Sequence, residues 1–310
     1  MRVAFFGLPL AALLLAKDGH EIVYAGICRE GALGTRRLRR RLGDDVVVMK
    51  PDVARAATRV TVASREPELL VSWFWVTQLP KALLDVAPLG AIGVHPSLLP
   101  RHRGPDPYFW AIDAGDEETG VTAHLLDERY DTGAILGRRA LAIDPSWNAW
   151  KLAKALDRPS LALLRDVVRA FADGPPPRAE AQDEARATSA PAPSDDDLEI
   201  RWSEPAERIA RRVRAAAPWP GAFTDIGGEI VALTRVRPTT DYPRSLAAGE
   251  AAVRVDGVAV VRAGDAALEL LEGRSESGDA CDDAGASGRE QPLLAAELAA
   301  RITAARDARH

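Results

Sequence analysis

The chain has 310 residues, of which 47% are apolar and 27% are charged, so it has an ordinary soluble composition and the length for two domains. Its net charge of −5 gives no general attraction to nucleic acid, and it has no run of about 18 apolar residues to cross a membrane. Cys28 and Cys281 lie far apart, and neither HxxxH nor CxxC occurs. We therefore expect no disulfide framework, no metal site and a reducing, cytoplasmic location.

The first half alternates between apolar segments and helical patterns, which is typical of a parallel sheet built from strand–helix units. Five segments are predicted as strands: "RVAFF", "EIVYAGIC", "VVVMKP", "ELLVSWFW" and "GAIGVH". One of the helices between them is predicted from about Pro51 to Arg65. Two alternating strands, "GVTAHLLDE" and "GAILGRRALAI", follow. A long helix is then predicted from Ser146, as its N-cap, through Phe171.

The second half differs in composition. Residues 173–197 are rich in proline, alanine and charge, which indicates a linker or an extended segment that wraps around a domain. The amphipathic segment "IRWSEPAERIARRVRAAAP" predicts a helix, and the short strands with glycine turns after it predict a small antiparallel barrel. "SGDACDDAGASG" is predicted to be a mobile loop, and "PLLAAELAARITAAR" to be a final helix.

A candidate site lies at the end of the fifth predicted strand. Ligands of an open parallel sheet bind beyond the carboxyl ends of its strands, and His95 ends this one. The pattern GxGxxG is absent after the first strand, so NAD is not the expected ligand. Asp131, in the turn between the two alternating strands, is placed to orient a histidine base. A histidine and an aspartate with purely structural roles fit the same spacing.

The segment "TRRLRRRLG" is a local exception to the acidic composition. It holds five arginines: Arg36, Arg37, Arg39, Arg40 and Arg41. The run indicates either a contact with an anion or RNA, or a helix face in solvent.

Four motifs occur in order along nearly the whole chain: "VAFFGLP", "LPKALLDVAPLGAIGVHPSLLPRHRG", "WAIDAGDEETGVTAHLLDERYDTGAIL" and "RAAAPWPGAF". This arrangement resembles the 10-formyltetrahydrofolate-dependent formyltransferases, whose members formylate initiator methionyl-tRNA or amino-sugar nucleotides. The resemblance implies an α/β fold with a Rossmann-like, mostly parallel sheet and a small C-terminal OB-like β-barrel. The implied domains are a catalytic domain with a folate cleft (1–175), a linker (176–199) and the barrel (200–310).

The resemblance also implies the catalytic residues. In this family an amine attacks the formyl carbon of the folate, and an Asn, a His and an Asp share the proton transfer and the stabilisation of the oxyanion. The His corresponds to His95, as general base, and the Asp to Asp131, which supports the charge on the imidazole. The Asn position holds Gly93, which has no side-chain donor. Asn148 is the single asparagine of the chain and is expected only to start a helix, so what replaces the donor stays open.

Folate binding is implied as well, with 10-formyltetrahydrofolate as the co-substrate. In the family the pterin is held largely by backbone groups of two loops, which correspond to residues 72–80 and 126–133. The residues expected around the cleft are Phe74, Trp75, Val76, Leu79, Leu98, Leu99, Arg103, Asp127, Glu128, Arg129 and Tyr130. Trp73 and Trp75 fit equally well in the hydrophobic core.

The charge of the C-terminal part bears on the acceptor. Residues 201–310 hold 15 arginines, no lysine and 17 acidic residues, whereas a domain that grips tRNA needs a basic surface. We therefore expect a small amine, such as an amino-sugar nucleotide, with methionyl-tRNA as the alternative. A folate-binding relative without transfer activity and a formyl-folate hydrolase are further alternatives. The oligomeric state is left open.

Overall fold

A computed structural model describes residues 1–275 and 291–307. The chain forms two compact units. Unit 1 comprises Met1–Pro107, Glu118–Ala142 and Ala153–Pro191, and unit 2 comprises Tyr108–Glu117, Ile143–Leu152 and Ala192–His310. The boundaries predicted at residues 175 and 200 stay a prediction. Cys281 and the predicted mobile loop around it lie outside the described residues.

Unit 1 contains a seven-stranded sheet with the strand order β3-β2-β1-β4-β5-β6-β7. Its strands are β1 (Arg2–Gly7), β2 (Glu21–Ile27), β3 (Val47–Met49), β4 (Leu69–Trp73), β5 (Ala91–His95), β6 (Glu118–Leu125) and β7 (Ile135–Ala142). The strands β1 to β5 are parallel, whereas β6 pairs antiparallel with β5, and β7 with β6. The predicted mostly parallel α/β sheet is thus confirmed.

Six helices accompany these strands in the chain: α1 (Pro9–Lys17), α2 (Thr35–Leu42), α3 (Ala56–Ala63), α4 (Lys81–Leu84), α5 (Pro107–Ala114) and α6 (Ala149–Asp173). The helix α3 is shorter at both ends than predicted. The predicted N-cap of α6 is wrong, because Oδ1 of Asn148 accepts the hydrogen bond from the Lys151 amide, at 2.9 Å. The Ser146 hydroxyl donates instead to Asp144, at 2.7 Å.

The core of unit 1 surrounds its central strand. Val3, Ala4, Phe5 and Phe6 of β1 are all fully buried, as expected for a parallel strand covered on both faces. Trp73, at the end of β4, is buried too, and its Nε1 donates to Ser160 Oγ at 2.7 Å. These contacts fix the strand ends at which the candidate site lies.

Part of the proline-rich segment belongs to unit 1. Glu180 and Ile135 exchange backbone hydrogen bonds of 2.9 and 2.7 Å, and Ser189 bridges to Arg103. A short 3₁₀ helix, Glu184–Arg186, lies between these two contacts. The composition left open a linker or an extended segment that wraps around a domain. The contacts of residues 180–190 are those of a wrapping segment.

Unit 2 contains a second, antiparallel sheet. Its C-terminal elements are α7 (Asp195–Leu198), α8 (Ala206–Ala216), β8 (Ala222–Ile226), β9 (Glu229–Thr239), β10 (Ala251–Val253), β11 (Ala259–Arg262), β12 (Ala267–Ser275), β13 (Gln291–Leu294) and α9 (Ala295–Asp307). The strand order is β10-β11-β12-β9-β8, with β13 against β12. This half-barrel agrees with the predicted C-terminal barrel domain.

A buried carboxylate joins two distant parts of the chain within unit 2. Asp113 of α5 lies with its Oδ1 2.6 Å from Arg208 Nη1 and 3.4 Å from Arg212 Nε, both on α8. The Asp113 side chain is almost fully buried, so it neutralises two cations away from bulk water.

Among the described residues, no helix is both long and apolar enough to span a membrane.

Candidate active site

The candidate site lies at the carboxyl edge of the parallel strands in unit 1. His95 is the last residue of β5, and the antiparallel partner β6 pairs His95 with Thr122 and Gly93 with His124. Residues two apart on a strand share a face, so Gly93, His95 and His124 lie on one face of the sheet. Asp131, on the loop between β6 and β7, reaches this same group.

The hydrogen bonds of His95 identify the nitrogen that is free to exchange a proton. Its Nε2 lies 2.7 Å from the carbonyl oxygen of His102, and a carbonyl only accepts, so this nitrogen carries a hydrogen. Its Nδ1 lies 3.4 Å from Asp131 Oδ2. The ring is 6% exposed, so bulk water does not compete strongly for Nδ1. The structure therefore brings the predicted histidine and aspartate together.

The loop of Asp131 is held from several sides. Asp131 has a φ of 57°, in the left-handed region that aspartate adopts more readily than most residues. Its Oδ2 accepts the Gly104 amide at 2.9 Å. The Gln182 side-chain amide donates to the carbonyls of Asp131 and Gly133, at 2.8 Å each. A Cβ at Gly133 would lie 1.8 Å from the Leu125 carbonyl oxygen, so only glycine fits there.

Gly93 does not leave an empty space. A Cβ at this position would lie 2.8 Å from Leu126 Cδ2 and 3.7 Å from His124 Nε2. Gly93 has no positive φ, so its backbone does not require glycine. The side chains of Leu126 and His124 therefore fill the volume into which an asparagine would project.

His124 is a site residue that the sequence did not reveal. Its ring is 2% exposed, with Nε2 3.6 Å from Asp131 Oδ1 and Nδ1 2.8 Å from the Leu125 carbonyl oxygen. Burial lowers the pKa of His124, and the attraction of Asp131 opposes that shift. The signal that points to His124 is its pairing with Gly93 across β5 and β6.

The first predicted folate loop mixes exposed and buried side chains. Phe74 and Val76 are exposed, and Phe74 packs edge-on against Trp73 with ring centroids 4.6 Å apart. Trp75 is partly buried against Phe6, at 5.4 Å, and its Nε1 is buried without a hydrogen-bond partner. Leu79 is buried in the core. Of the residues predicted to line the cleft from this loop, Phe74, Trp75 and Val76 are therefore accessible at the surface, whereas Leu79 is buried.

The second predicted folate loop is exposed along Asp127, Glu128, Arg129 and Tyr130. Asp127 stabilises the loop itself, because its Oδ1 accepts from the Thr132 hydroxyl at 2.7 Å and from the Arg129 amide at 2.9 Å. The Gln78 side chain donates to the Glu128 carbonyl. This bond joins the two loops, and the sequence alone did not single out Gln78.

The last three predicted cleft residues differ in how far they are available to a ligand. Leu98 is partly buried, whereas Leu99 is 1% exposed and so belongs to the core. The Arg103 guanidinium donates to Gln182 Oε1 and to Glu184 Oε1, both at 2.8 Å. In this structure it therefore holds the wrapping segment.

In the described residues, no group of three or more His, Cys, Asp or Glu side chains is arranged to hold a metal ion.

A mostly parallel sheet with a histidine–carboxylate pair at its carboxyl edge is an arrangement typical of α/β enzymes. Residues 44–168 match the family model of formyl transferases, and residues 194–285 match that of the formyl transferase C-terminal domain. The chain is 36% identical over 294 residues to methionyl-tRNA formyltransferase of Anaeromyxobacter dehalogenans strain 2CP-C, covering 88% of this chain and 93% of that protein. The chain belongs to the formyltransferase family.

Other relatives and solved structures agree. Methionyl-tRNA formyltransferase of Chloroflexus aurantiacus (strain J-10-fl) is 34% identical over 287 residues, covering 88% of this chain and 91% of that protein. HypX from Aquifex aeolicus, crystallised with tetrahydrofolic acid, has a TM-score of 0.66 at 17% identity, and the match covers 97% of this chain and 47% of HypX. An N-formyltransferase from Helicobacter canadensis, in complex with folinic acid and dTDP-3-aminofucose, has a TM-score of 0.64 at 12% identity, covering 86% and 98% of the two chains. These two likenesses show the fold.

Proposed function

We propose that this chain transfers the formyl group of 10-formyltetrahydrofolate to the amino group of methionyl-tRNA. The observation that carries the transfer chemistry is the approach of His95 Nδ1 to Asp131 Oδ2, at 3.4 Å, at the edge of the sheet where ligands bind. The relatives of 34–36% identity named methionyl-tRNA formyltransferase support the acceptor.

The proposed chemistry follows from the free nitrogen of His95. The amine nitrogen attacks the formyl carbon, and its proton passes to His95 Nδ1. Asp131 then stabilises the imidazolium. When the tetrahedral intermediate collapses, the bond from the carbon to N10 of the folate breaks, and N10 takes the proton from Nδ1. His95 returns to its neutral form, so no proton is gained or lost over the cycle.

The proposed folate cleft lies between the two loops that Gln78 joins. Its walls would be the exposed atoms of Phe74, Trp75 and Val76 on one side. Asp127 to Tyr130 would form the other side. The Trp75 Nε1 donor is buried without a partner, which is costly unless a ligand accepts from it.

Two observations on charge bear on the acceptor. The α2 arginines Arg36, Arg37 and Arg40 are exposed on one short helix, which is a suitable surface for RNA phosphates. Against this, residues 201–310 have no basic excess, which favours a small amine such as an amino-sugar nucleotide as a second candidate. The named relatives outweigh the net charge, since local clusters and not the net charge contact phosphates.

The acceptor is tested by incubating the protein with 10-formyltetrahydrofolate and either initiator methionyl-tRNA or an amino-sugar nucleotide, following tetrahydrofolate release. We expect formylation of the tRNA. Faster turnover of the amino sugar would identify the second candidate. Release of formate without an acceptor would identify a hydrolase, and folate binding without any turnover would identify a binding protein.

The catalytic residues are tested by His95→Ala and Asp131→Asn. Each should lower kcat by about 100- to 10,000-fold, because proton transfer to a positioned base is lost. The dissociation constant for a stable 10-formyl-folate analogue should stay within about twofold, since backbone groups hold the pterin. A His95→Ala variant with normal turnover would mean that the base lies elsewhere.

The α2 surface is tested by the double substitution Arg37→Gln/Arg40→Gln, with Arg59→Gln/Arg158→Gln as the matched control. Loss of two phosphate contacts should raise KM for tRNA and lower its salt dependence by about one unit of log–log slope per contact. KM for the folate should not change. Equal effects of the two double variants would contradict a specific role for α2.

A further inference from the structure

His124 lies where the resemblance places the side chain of an asparagine. The register of β5 and β6 sets Gly93 opposite His124, and Nε2 of the ring is 3.7 Å from the point that a Cβ of residue 93 would take. Any side chain at position 93 would have to share this volume with the ring and with Leu126. Glycine at position 93 therefore makes the room that the imidazole occupies.

Both imidazoles of the site have one nitrogen committed to the backbone. Nε2 of His95 donates to the His102 carbonyl, and Nδ1 of His124 donates to the Leu125 carbonyl. The two remaining nitrogens, His95 Nδ1 and His124 Nε2, face the two oxygens of Asp131 at 3.4 and 3.6 Å. One carboxylate thus lies between two nitrogens that can each gain or lose a proton.

This arrangement determines how the cluster binds protons. With both rings neutral, two lone pairs face one carboxylate, and the repulsion favours uptake of a first proton. A second proton must enter beside the first in a buried place, so it binds much less readily. Burial lowers the pKa of His124, and the charge on His95 lowers it further, while Asp131 and Asp127 oppose this.

A further charged group lies beside the cluster. Arg103 lies close enough to Asp131 and Asp127 for their charges to act on it, but its guanidinium is bonded to Glu184. His102 is also adjacent to the cluster, because its carbonyl accepts the hydrogen bond of His95, and its ring is titratable. Asp131 lies 3.6 Å from the His124 ring, and the charges of His95 and Asp127 also act on His124.

We propose that His124 is a positioning residue of the formyl transfer, and that Asp131 shares the transferred proton between His95 and His124. This proposal rests on the proposed function, because it takes His95 to be the group that receives the proton of the amine. As the amine N–H bond breaks, the Nδ1–H bond of His95 forms. Asp131 shares this proton by taking it from Nδ1 onto its carboxylate and giving it to Nε2 of His124, and the proton returns to Nδ1 by the reverse transfers. The proton leaves from Nδ1 to N10 of the folate as the carbon–N10 bond breaks.

The proposal is tested by His124→Gln, whose amide reaches the position of Nε2 and keeps a polar contact but cannot take a proton. Nitrogen-15 NMR of the imidazoles follows their titration in the wild type and the variant. In the wild type, the shifts of both rings should change in two common steps. In the variant, the nitrogen-15 shifts of His95 should lose the step that they share with His124.

Kinetics supply the second measurement. We expect kcat of His124→Gln to fall about tenfold or more, which is part of the roughly 100- to 10,000-fold that proton transfer contributes. KM for the folate and the melting temperature should stay near the wild-type values. A purely structural role would be rescued by glutamine, so kcat within about twofold of wild type, with an unchanged His95 titration, overturns the proposal.

A control variant and the wild-type titration complete the test. His20→Gln is the matched control, since His20 precedes β2 at the opposite edge of the sheet and should leave kcat unchanged. If His124→Gln does not fold, the wild-type titration decides alone, because independent titration of the two rings overturns the proposal. If no acceptor is formylated by the wild type, the proposed function fails, while the titration still tests the shared proton.

Discussion

The side chains of Leu126 and His124 occupy the volume next to Gly93. Gly93→Asn should therefore lower the free energy of unfolding by about 1–3 kcal/mol, because Leu126 Cδ2 lies 2.8 Å from the new Cβ. Turnover should fall as well, since the asparagine displaces the His124 ring from Asp131. Urea unfolding and steady-state kinetics measure the two effects.

Leu126→Ala gives the matched comparison for this substitution. In Gly93→Asn/Leu126→Ala the clash with the leucine is relieved, so part of the lost stability should return while turnover stays low. An increase in turnover approaching the roughly 100- to 1,000-fold value of an oxyanion donor would show the opposite. It would mean that an amide at residue 93 is all that the natural site lacks.

The buried ring of His124 also makes stability depend on pH. Its pKa is lowered from the ordinary value of 6.5, so below about pH 6.5 the unfolded chain binds a proton that the folded chain does not. The free energy of unfolding should therefore fall as pH falls, by at most about 1.4 kcal/mol per pH unit from this group. His124→Gln should reduce that slope between pH 6.5 and 5. An identical slope in the variant would contradict a neutral, buried His124. Burial lowers the pKa of His20 too, so His20→Gln should also reduce the slope in this pH range.

At the scale of elements, the wrapping segment 180–190 holds the loop that carries Asp131. Gln182 makes two hydrogen bonds to the carbonyls of Asp131 and Gly133, and Arg103 holds Gln182 in turn. Gln182→Ala removes these bonds, each worth about 1 kcal/mol. We expect a lower melting temperature, faster amide exchange in residues 126–133 and a lower kcat.

The control for this substitution is Gln78→Ala, which loosens the same loop at Glu128, away from Asp131. If the role of Gln182 is to position Asp131, its loss should lower kcat, whereas the loss of Gln78 should mainly raise KM for the folate. The same change of kcat and KM in both variants would mean that the loop responds as a whole.

Sequence patterns predicted the elements and the pair His95 and Asp131, because these depend on local periodicity and on motifs that are contiguous in the chain. His124 was not predicted, since its closeness to Gly93 depends on the antiparallel register of β5 and β6. Ser146 and Asn148 are both good N-cap residues two positions apart, and composition does not choose between them. Arg103 was assigned to the cleft, but a partner 79 residues further along the chain, Gln182, engages its side chain.

At the scale of the whole molecule, unit 2 includes a segment from the first half of the chain. Asp113 lies in that segment, and Asp113→Ala should lower the free energy of unfolding of unit 2 by about 3–5 kcal/mol, because Arg212 stays buried without its nearest carboxylate. Thermal unfolding measures the loss. Asp85→Ala breaks an exposed pair with Lys81 and should have a far smaller effect. Equal losses in the two variants would contradict the importance of burial.

The contact of Asp113 with Arg208 spans 95 positions of the chain. A ribosome adds about 5–20 residues per second, so roughly 5–20 s pass between the synthesis of the aspartate and that of its arginine. During this interval α5 has left the ribosome without the helix that neutralises its carboxylate. Unit 2 thus cannot complete its folding in step with translation of its first segment, and the newly made chain depends on that segment staying soluble until α8 emerges.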